Sequence, residues 1–363
     1  MKNINLPFSK TSKSKTPSFR LLLSYLSPAI VLILALLVGG LLIILAGQNP
    51  IEAYISLLNG AFGSISRFSE TLVKTIPLLI MGLAISIAFK NGFWNIGGEG
   101  QFLAGATLST WLALSLSGLP PVVLSILCFL AGFIGGAVWG GIAGLIKVHF
   151  NVNEVISTLM LNYVALYMVE FLIRGPLMDQ TSAISTGMVF PQSALIPASI
   201  ILPRLIQRTR LHAGLFLAII VLILVWLLWR TKIGYEIETS GANKEAARFA
   251  GINTNKITIL VSLLSGGLAG LVGWNEIFGV HYRLLDAITA EYGFIGIIVA
   301  LLGGLQPIGV LVSSFLMSVL YVGGNAMERA TGISFAVVNV INGTVIVFLL
   351  IRSALAKKIR GIR

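Results

Sequence analysis

The sequence predicts an all-α polytopic membrane protein with about ten transmembrane helices. Of its 363 residues, 56% are hydrophobic and only 10% are charged, and the mean hydropathy is +0.94. A soluble domain carries about 25% charged residues, so this composition excludes an ordinary water-soluble fold and also a disordered chain. The apolar residues fall in runs that are long enough to cross about 30 Å of hydrocarbon as helices.

The first apolar run, 21–46, follows a basic head over residues 1–20. It is longer than the apolar core of a signal peptide, so we expect an uncleaved first helix. Further spans are predicted at 71–89, 98–117, 121–146, 154–173, 212–229, 257–279, 292–305, 308–323 and 335–351. The 292–305 run is short and is followed by Gln306-Pro307, so that pair of runs could form a bent or partly re-entrant hairpin. Together the runs define a transmembrane domain over 21–351.

The basic residues predict the orientation. With the N-terminus inside, 17 of the 25 Lys and Arg residues fall on the inner side and 8 on the outer side. This excess predicts that both termini, including the basic tail 352–363, lie in the cytoplasm. It also means that the net charge of +12 indicates a lipid bilayer rather than nucleic acid as the partner. The outer group from Arg204 to Arg210 runs against this rule.

Two connecting loops are long. Residues 174–211, on the outer side, contain four prolines and predict an irregular extracytoplasmic cap. Residues 230–256, on the inner side, contain a predicted short helix between Ser240 and Ile252. Asn243 is a suitable N-cap and Gly251 suits the left-handed position after the last turn. A helix this short is marginal alone in water and needs a partner surface, either a protein or lipid headgroups.

The residues of this helix resemble a known motif. Gly-Ala-Asn-Lys-Glu-Ala-Ala-Arg-Phe-Ala-Gly-Ile-Asn is similar to the cytoplasmic coupling segment of ABC importer permeases of the sugar, nucleoside and branched-chain amino-acid group. The resemblance implies that the segment contacts a separate ATPase subunit. The residues that match, and that it assigns to ATPase coupling, are Gly241, Asn243, Ala246, Ala247, Ala250, Gly251 and Ile252.

A second segment resembles a narrower set of permeases. Residues 91–101 contain Phe-Trp-Asn-Ile-Gly-Gly-Glu-Gly-Gln, which is similar to the F-N-I-G-x-E-G-Q segment of permeases that work with nucleoside-binding lipoproteins. The resemblance implies the ten-helix fold of this group, a place in a bacterial cell membrane, and import of nucleosides by alternating access. It also implies three partners: an ATP-binding cassette subunit that carries the ATP and Mg, a second homologous permease subunit, and an extracellular substrate-binding lipoprotein.

Polar residues inside the predicted spans are candidates for the substrate pathway or its gate. The carboxyl group of Glu99 lies in a glycine-rich segment, where a buried acid marks function or simply an acid at a helix N-terminus. Amide groups can donate and accept hydrogen bonds with a base or a ribose, and an aromatic face can stack on a base. The alternative is that each residue only bonds a neighbouring helix. The candidates are Asn95, Glu99, Gln101, Asn162, Trp274, Asn275 and Glu276.

Four glycines recur at intervals of four residues within one predicted span. They therefore lie on one helix face, where small residues allow helices to pack closely. They are Gly132, Gly136, Gly140 and Gly144. We expect a packing seam, with a sliding surface for alternating access as the functional alternative.

Several motifs are absent from the sequence. It has no G-x-x-x-x-G-K-[S/T] loop for ATP, no clustered metal ligands and no nucleophile motif. We therefore expect a transport subunit with no cofactor of its own and no enzymatic activity. The alternatives are a permease of the same group for simple sugars or branched-chain amino acids, or an ion-coupled secondary transporter. A membrane enzyme acting on lipid-linked substrates is disfavoured because the outer-loop group of Arg204, Arg208, Arg210 and His212 has no adjacent carboxylate in the sequence.

Overall fold

The computed structural model describes residues 28–180 and 190–359. The basic head and the first part of the predicted 21–46 span lie outside the described residues, as do positions 181–189 of the outer loop and the last four residues of the tail. In the described part the chain is predominantly helical, as the sequence predicts. Its helices pack around one extended buried core.

Thirteen α-helices are found within the described residues. They are α1 (Pro28–Leu45), α2 (Pro50–Phe62), α3 (Ile65–Lys90), α4 (Gly98–Ser115), α5 (Pro121–Phe150), α6 (Glu154–Arg174), α7 (Gly214–Leu228), α8 (Lys232–Ala242), α9 (Lys244–Phe249), α10 (Thr254–Glu276), α11 (Tyr292–Leu302), α12 (Pro307–Thr331) and α13 (Ala336–Ile359). A π-helical turn over Ile277–His281 extends α10.

A helix lies on each of the ten predicted runs, but not all of these helices can span a membrane alone. Within the described residues, α3, α5, α6, α10 with its π turn, and α12 are long and apolar enough. A sixth span results if α7 and α8, which meet at an angle of 72°, are counted together. The eleven residues of α11 extend only about 16 Å, so the 292–305 run is not a complete span. The count of ten spans stays a prediction.

The helix α2 was not predicted. Asn49 caps it, with its side-chain oxygen accepting a hydrogen bond from the Ile51 amide at 3.0 Å, and Pro50 occupies the first helical position. Both are recognised start signals that the sequence shows. The helix packs against α12, where a Cβ on Gly60 would overlap the Ala326 side chain.

The helix α3 lies at the centre of the fold. Every residue from Thr75 to Phe89 is buried, which is typical of a helix that neighbours surround on all sides. The helices α2, α7, α10, α11 and α12 pack around it.

Charged residues gather at the two ends of the helix bundle. At one end Lys90 forms an ion pair with Glu238. At the other, the Arg210 Nε donates to the Glu70 Oε1 at 2.8 Å. We call these the Lys90 end and the Arg210 end.

The outer arginine group lies on a hairpin at the Arg210 end. The Leu205 amide donates to the Leu211 carbonyl at 2.8 Å, and the backbones of Arg204 and His212 form an isolated antiparallel β-bridge. The hydrogen bond with Glu70 raises the pKa of the Arg210 guanidinium, so this cation is held in a stable pair.

Candidate functional site

The inner loop contains two helices where the sequence predicted one. Asn243 is the N-cap of α9, as predicted, and its extended backbone, at φ −156° and ψ 110°, separates α9 from α8. Its side-chain oxygen caps α9, accepting hydrogen bonds from the amides of Glu245 at 2.9 Å and Ala246 at 3.1 Å. Gly251 follows in the left-handed conformation at φ +80°, as predicted. Residues 240–242 therefore belong to α8, and α9 is a separate six-residue helix.

The helix α9 is anchored on one side and free on the other. Ala247 is fully buried and Ile252 is 9% exposed, and both belong to the core. Ala246 and Ala250 are exposed, and the Phe249 side chain is 93% exposed. Of the residues that match the coupling motif, Ala247 and Ile252 thus anchor α9 to the core, whereas Ala246 and Ala250 lie on its exposed face.

Gly241 has a different position from the rest of the motif. It lies in α8, where a Cβ would overlap the Lys90 carbonyl oxygen and crowd Asn91. The missing side chain of Gly241 permits close packing of α8 on the end of α3, and its assignment to ATPase coupling stays a prediction. Across the same contact, the Lys90 ammonium lies 4.1 Å from the centroid of the Trp229 ring.

The segment 91–101 is held by a network of side-chain amides. Asn95 and Gln101 form a reciprocal pair, with donor–acceptor distances of 3.0 and 2.9 Å. The Asn95 amide also donates to the Ser265 hydroxyl at 2.9 Å, and its oxygen accepts from the Gly97 amide at 2.9 Å. Asn95 and Gln101 are both buried, so the non-helical backbone here is satisfied inside the protein.

Asn162 completes this network from α6. Its side-chain amide donates to the Ile96 carbonyl at 2.9 Å, and its oxygen accepts from the Gly100 amide at 2.8 Å. Both polar atoms of the Asn162 side chain are therefore hydrogen-bonded to backbone groups. This is the alternative from the sequence analysis in which a polar residue only bonds a neighbouring segment. We call Asn95, Gln101, Asn162 and Ser265 the amide network.

Glu99 joins two helix N-termini. It lies in the first turn of α4, and its Oε1 accepts a hydrogen bond from the Gly293 amide at 2.7 Å, in the first turn of α11. Helix N-termini favour negative charge, so the carboxylate is placed where two such fields meet. A Cβ on Gly293 would crowd the Glu99 amide and side chain, so this contact depends on glycine.

Trp274, Asn275 and Glu276 do not face one pathway. Successive helical residues are about 100° apart, so the three side chains point in different directions. Trp274 packs over Gly132 of α5, and its ring centroid lies 5.2 Å from that of Phe129 and 5.4 Å from that of Phe278. The structure therefore places Trp274 in an aromatic packing cluster, and a role in stacking on a substrate base stays a prediction.

Asn275 points toward the start of α7. A Cβ on Gly214 would overlap the Asn275 side-chain oxygen and the His212 ring. Asn275 and His212 are fully buried. Within residues 28–180 and 190–359, both polar atoms of the Asn275 side chain and the His212 Nε2 lack a hydrogen-bond partner.

Glu276 belongs to a chain of interacting polar side chains that the sequence did not predict. The Tyr292 hydroxyl donates to the Glu276 Oε2 at 3.4 Å, and the Lys74 ammonium donates to the Tyr292 oxygen. The His281 Nε2 lies 3.6 Å from the same Glu276 oxygen. We call these four residues the Tyr292 cluster.

Lys74 was counted among the outer charges, but it lies inside α3, nine residues from the start of that helix. Its place within the predicted 71–89 run was the available signal, because a lysine inside a span needs a partner. His281 and Tyr292 gave no such signal.

The glycine seam lies between α5 and α10. A Cβ on Gly136 would overlap the Gly266 carbonyl oxygen, and one on Gly144 would overlap the Ser262 hydroxyl. Gly132 and Gly140 meet Trp274 and Ser262 in the same way. The two helices approach backbone to backbone along the whole face.

Sequence comparisons with known proteins return a family match and several relatives. Residues 67–351 match the family model described as the permease component of the branched-chain amino acid transport system. A glucose ABC transporter permease of Haloferax volcanii is 36% identical over 343 residues, covering 90% of this chain and 87% of the relative. A guanosine ABC transporter permease of Bacillus subtilis is 34% identical, covering 89% of this chain and 92% of the relative. A nucleoside ABC transporter permease of Lactococcus lactis is 34% identical, covering 90% and 91%.

Proposed function

Because the chain belongs to this permease family, within the ABC importer permease group, we propose that it is the membrane subunit of an ATP-driven importer that carries nucleosides into the cytoplasm. It is a multi-pass membrane protein and a transport subunit. Two similar relatives named as guanosine and nucleoside permeases support a nucleoside cargo. The glucose permease favours a sugar as the second candidate.

The observation that carries the proposal is the exposed face of α9. Six helical residues gain little stability from their own hydrogen bonds, yet α9 is capped, anchored through Ala247, and presents Phe249 to solvent. The sequence lacks the phosphate-binding loop of P-loop ATPases. We infer that a separate ATPase subunit, which holds the ATP and Mg, docks on this face and moves it.

The proposed docking of the ATPase on α9 sets the orientation of the chain in the membrane. The Lys90 end, with α8 and α9, is the cytoplasmic end, and both termini of the chain lie on that side of the cell membrane. The Arg210 end faces a substrate-binding lipoprotein outside the cell. A second, homologous permease completes the membrane part as a heterodimer.

A mechanical connection links α9 to the interior. The helix α8 contacts the end of α3 through Gly241 and Lys90, and Thr258 of α10 donates to the Asn91 oxygen at 3.4 Å. The amide network begins four residues further on, and the Glu99 contact with α11 follows it. We propose that movement of α9 reaches the Glu99–Gly293 bond by this route and opens an inner gate there.

The test is uptake by the complete importer in proteoliposomes, with ATP inside and labelled guanosine or glucose outside. We expect ATP-dependent guanosine uptake. Ala246→Trp fills the docking face, so uptake should fall at least about tenfold while the subunit still inserts. Phe150→Ala changes another exposed aromatic side chain, 76% exposed, outside α9 and serves as the control.

Normal coupling in Ala246→Trp would contradict docking at α9. Uptake of glucose without guanosine would replace the cargo and leave the transport class intact. Uptake driven by a proton or sodium gradient in the absence of any ATPase would overturn the importer proposal.

A further inference from the structure

We propose that Glu276, supported by Lys74, Tyr292 and His281, binds vicinal hydroxyl groups of a neutral sugar ring, such as the ribose of a nucleoside. This inference rests on the proposed import function and names the part of the cargo that the membrane subunit contacts. It is carried by the contacts of the Tyr292 cluster and by the unpartnered polar atoms beside it.

The Tyr292 cluster buries polar and charged side chains deep in the protein, and their burial needs a physical explanation. Glu276 and Tyr292 are each 1% exposed, and they lie between helices of the membrane domain. A carboxylate in such a place is expensive unless it is paired. The Lys74 ammonium, bridged to Glu276 by the Tyr292 oxygen, supplies a compensating charge. A site whose charges offset each other favours a neutral ligand over a cation or an anion.

Four of the ten buried side-chain polar atoms that lack a partner in the described part of the chain belong to Glu276, Asn275 and His212. Among the residues that the structure describes, the Glu276 Oε1, both polar atoms of the Asn275 side chain and the His212 Nε2 make no hydrogen bond. Buried polar groups are nearly always hydrogen-bonded, and leaving one unsatisfied is costly. Of these atoms, the Glu276 Oε1 belongs to the Tyr292 cluster itself, so this cluster has a buried acceptor that a ligand can complete.

The donor and acceptor types of these atoms fit hydroxyl groups. An ionised carboxylate oxygen can only accept, whereas an amide and a neutral imidazole both donate and accept. A hydroxyl does both, so a hydroxyl of a sugar ring can donate to the Glu276 Oε1. The alternative of a bound metal ion is disfavoured, because the described side chains include no group of three suitable ligands. The Lys74 ammonium would also repel a cation.

The position of the cluster connects binding to the gate. Tyr292 is the first residue of α11, and the next residue, Gly293, holds the Glu99 carboxylate through its amide. A ligand that moves the Tyr292 hydroxyl therefore acts on the peptide unit that carries the Glu99 contact. The subsite lies beside the proposed gate, on the side nearer the Arg210 end.

The experiment measures binding without the lipoprotein, which would impose its own selectivity. The purified complex of both permeases and the ATPase is titrated in lipid nanodiscs with labelled adenosine, with 2′,3′-dideoxyadenosine and with glucose. We expect the wild-type complex to bind adenosine about tenfold more tightly than the dideoxy analogue, because Glu276 loses its hydroxyl partners in the analogue. In Glu276→Gln this preference should fall to near unity.

Two further variants make the result decisive. Glu52→Gln changes an exposed carboxylate of α2 and should leave the adenosine preference at the wild-type ratio. Tyr292→Phe removes the bridging hydroxyl and keeps the ring, so it should partly lower the preference for adenosine over the dideoxy analogue. If Glu276→Gln does not accumulate, the ratio measured for Tyr292→Phe tests the subsite instead. A purely structural role would change the amount of folded protein without changing the ratio.

Equal binding of adenosine and its dideoxy analogue by the wild-type complex would overturn the subsite. An unchanged ratio in Glu276→Gln would overturn it as well. If ATP-driven guanosine uptake persists in either case, only the subsite fails. If the complex imports and binds glucose alone, and Glu276→Gln abolishes that binding, the nucleoside cargo fails and the hydroxyl subsite stands.

Discussion

The amide network and the region around Glu276 are both buried, polar and next to breaks in the helices, yet their hydrogen bonds differ. In the network, the amides of Asn95, Gln101 and Asn162 bond each other, Ser265 and the backbone. Around Glu276, Asn275 makes no hydrogen bond within the described residues. The comparison teaches that a buried amide inside a span marks a scaffold when its partners are internal. Where internal partners are missing, as around Glu276, we propose a place for a ligand.

The largest effect should come from separating the charges of the Tyr292 cluster. Lys74→Met leaves the buried Glu276 carboxylate without its compensating cation and should destabilise the protein by about 3 to 5 kcal/mol. The double variant Lys74→Met/Glu276→Gln removes both charges and should recover most of that loss. Thermal unfolding of the solubilised protein measures both changes. If the destabilisation of the double variant equals the sum of the destabilisations of the two single variants, the two charges do not interact.

A somewhat smaller effect is expected at the seam that supports both regions. The helix α10 carries Ser265 to the amide network and Glu276 to the cluster, and it is held against α5 by glycines. Gly136→Leu forces a side chain into the Gly266 backbone and should cost about 3 kcal/mol. Gly118→Leu is the matched control, because no atom lies within 4 Å of the added Cβ. Equal melting temperatures for the two variants would refute close packing at the seam.

The smallest effects test the comparison itself. Asn95→Ala removes the hydrogen bonds of a satisfied amide and leaves its partners buried, so it should destabilise the protein by about 2 kcal/mol. Asn275→Ala removes an amide that has no partner in the described structure, so the change should stay below about 1 kcal/mol. The difference in thermal stability between these two asparagine variants is the readout. A larger loss at Asn275 would show that the two regions play the same structural part.

The sequence predicted the all-α membrane class, the position of a helix on each apolar run, and the caps at Asn243 and Gly251. These features depend on local composition and on neighbouring residues, which a sequence displays directly. The division of roles among the polar candidates was not predictable. Asn95 finds Gln101 six residues away, whereas Glu276 depends on Lys74, about 200 residues earlier in the chain. Only the packing of α3, α10 and α11 brings those groups together.

Trp274 shows the same limit. It was grouped with Asn275 and Glu276 as a pathway candidate, but helical rotation turns its ring toward α5 and Phe278. Gly241 was assigned to ATPase coupling together with the rest of the motif. The extended backbone at Asn243 divides that motif between two helices, and this became visible only in the structure.

The measurement that tests the central claim most directly is the accessibility of a cysteine placed at Phe249. The natural Cys128 is the sole cysteine of the chain and is buried, so Phe249→Cys gives one reactive thiol. A membrane-impermeant maleimide should label it only from the cytoplasmic side, and assembly with the ATPase should protect it from labelling. Labelling from outside the cell, or labelling that the ATPase does not reduce, would contradict the account of α9 as the element through which ATP hydrolysis drives import.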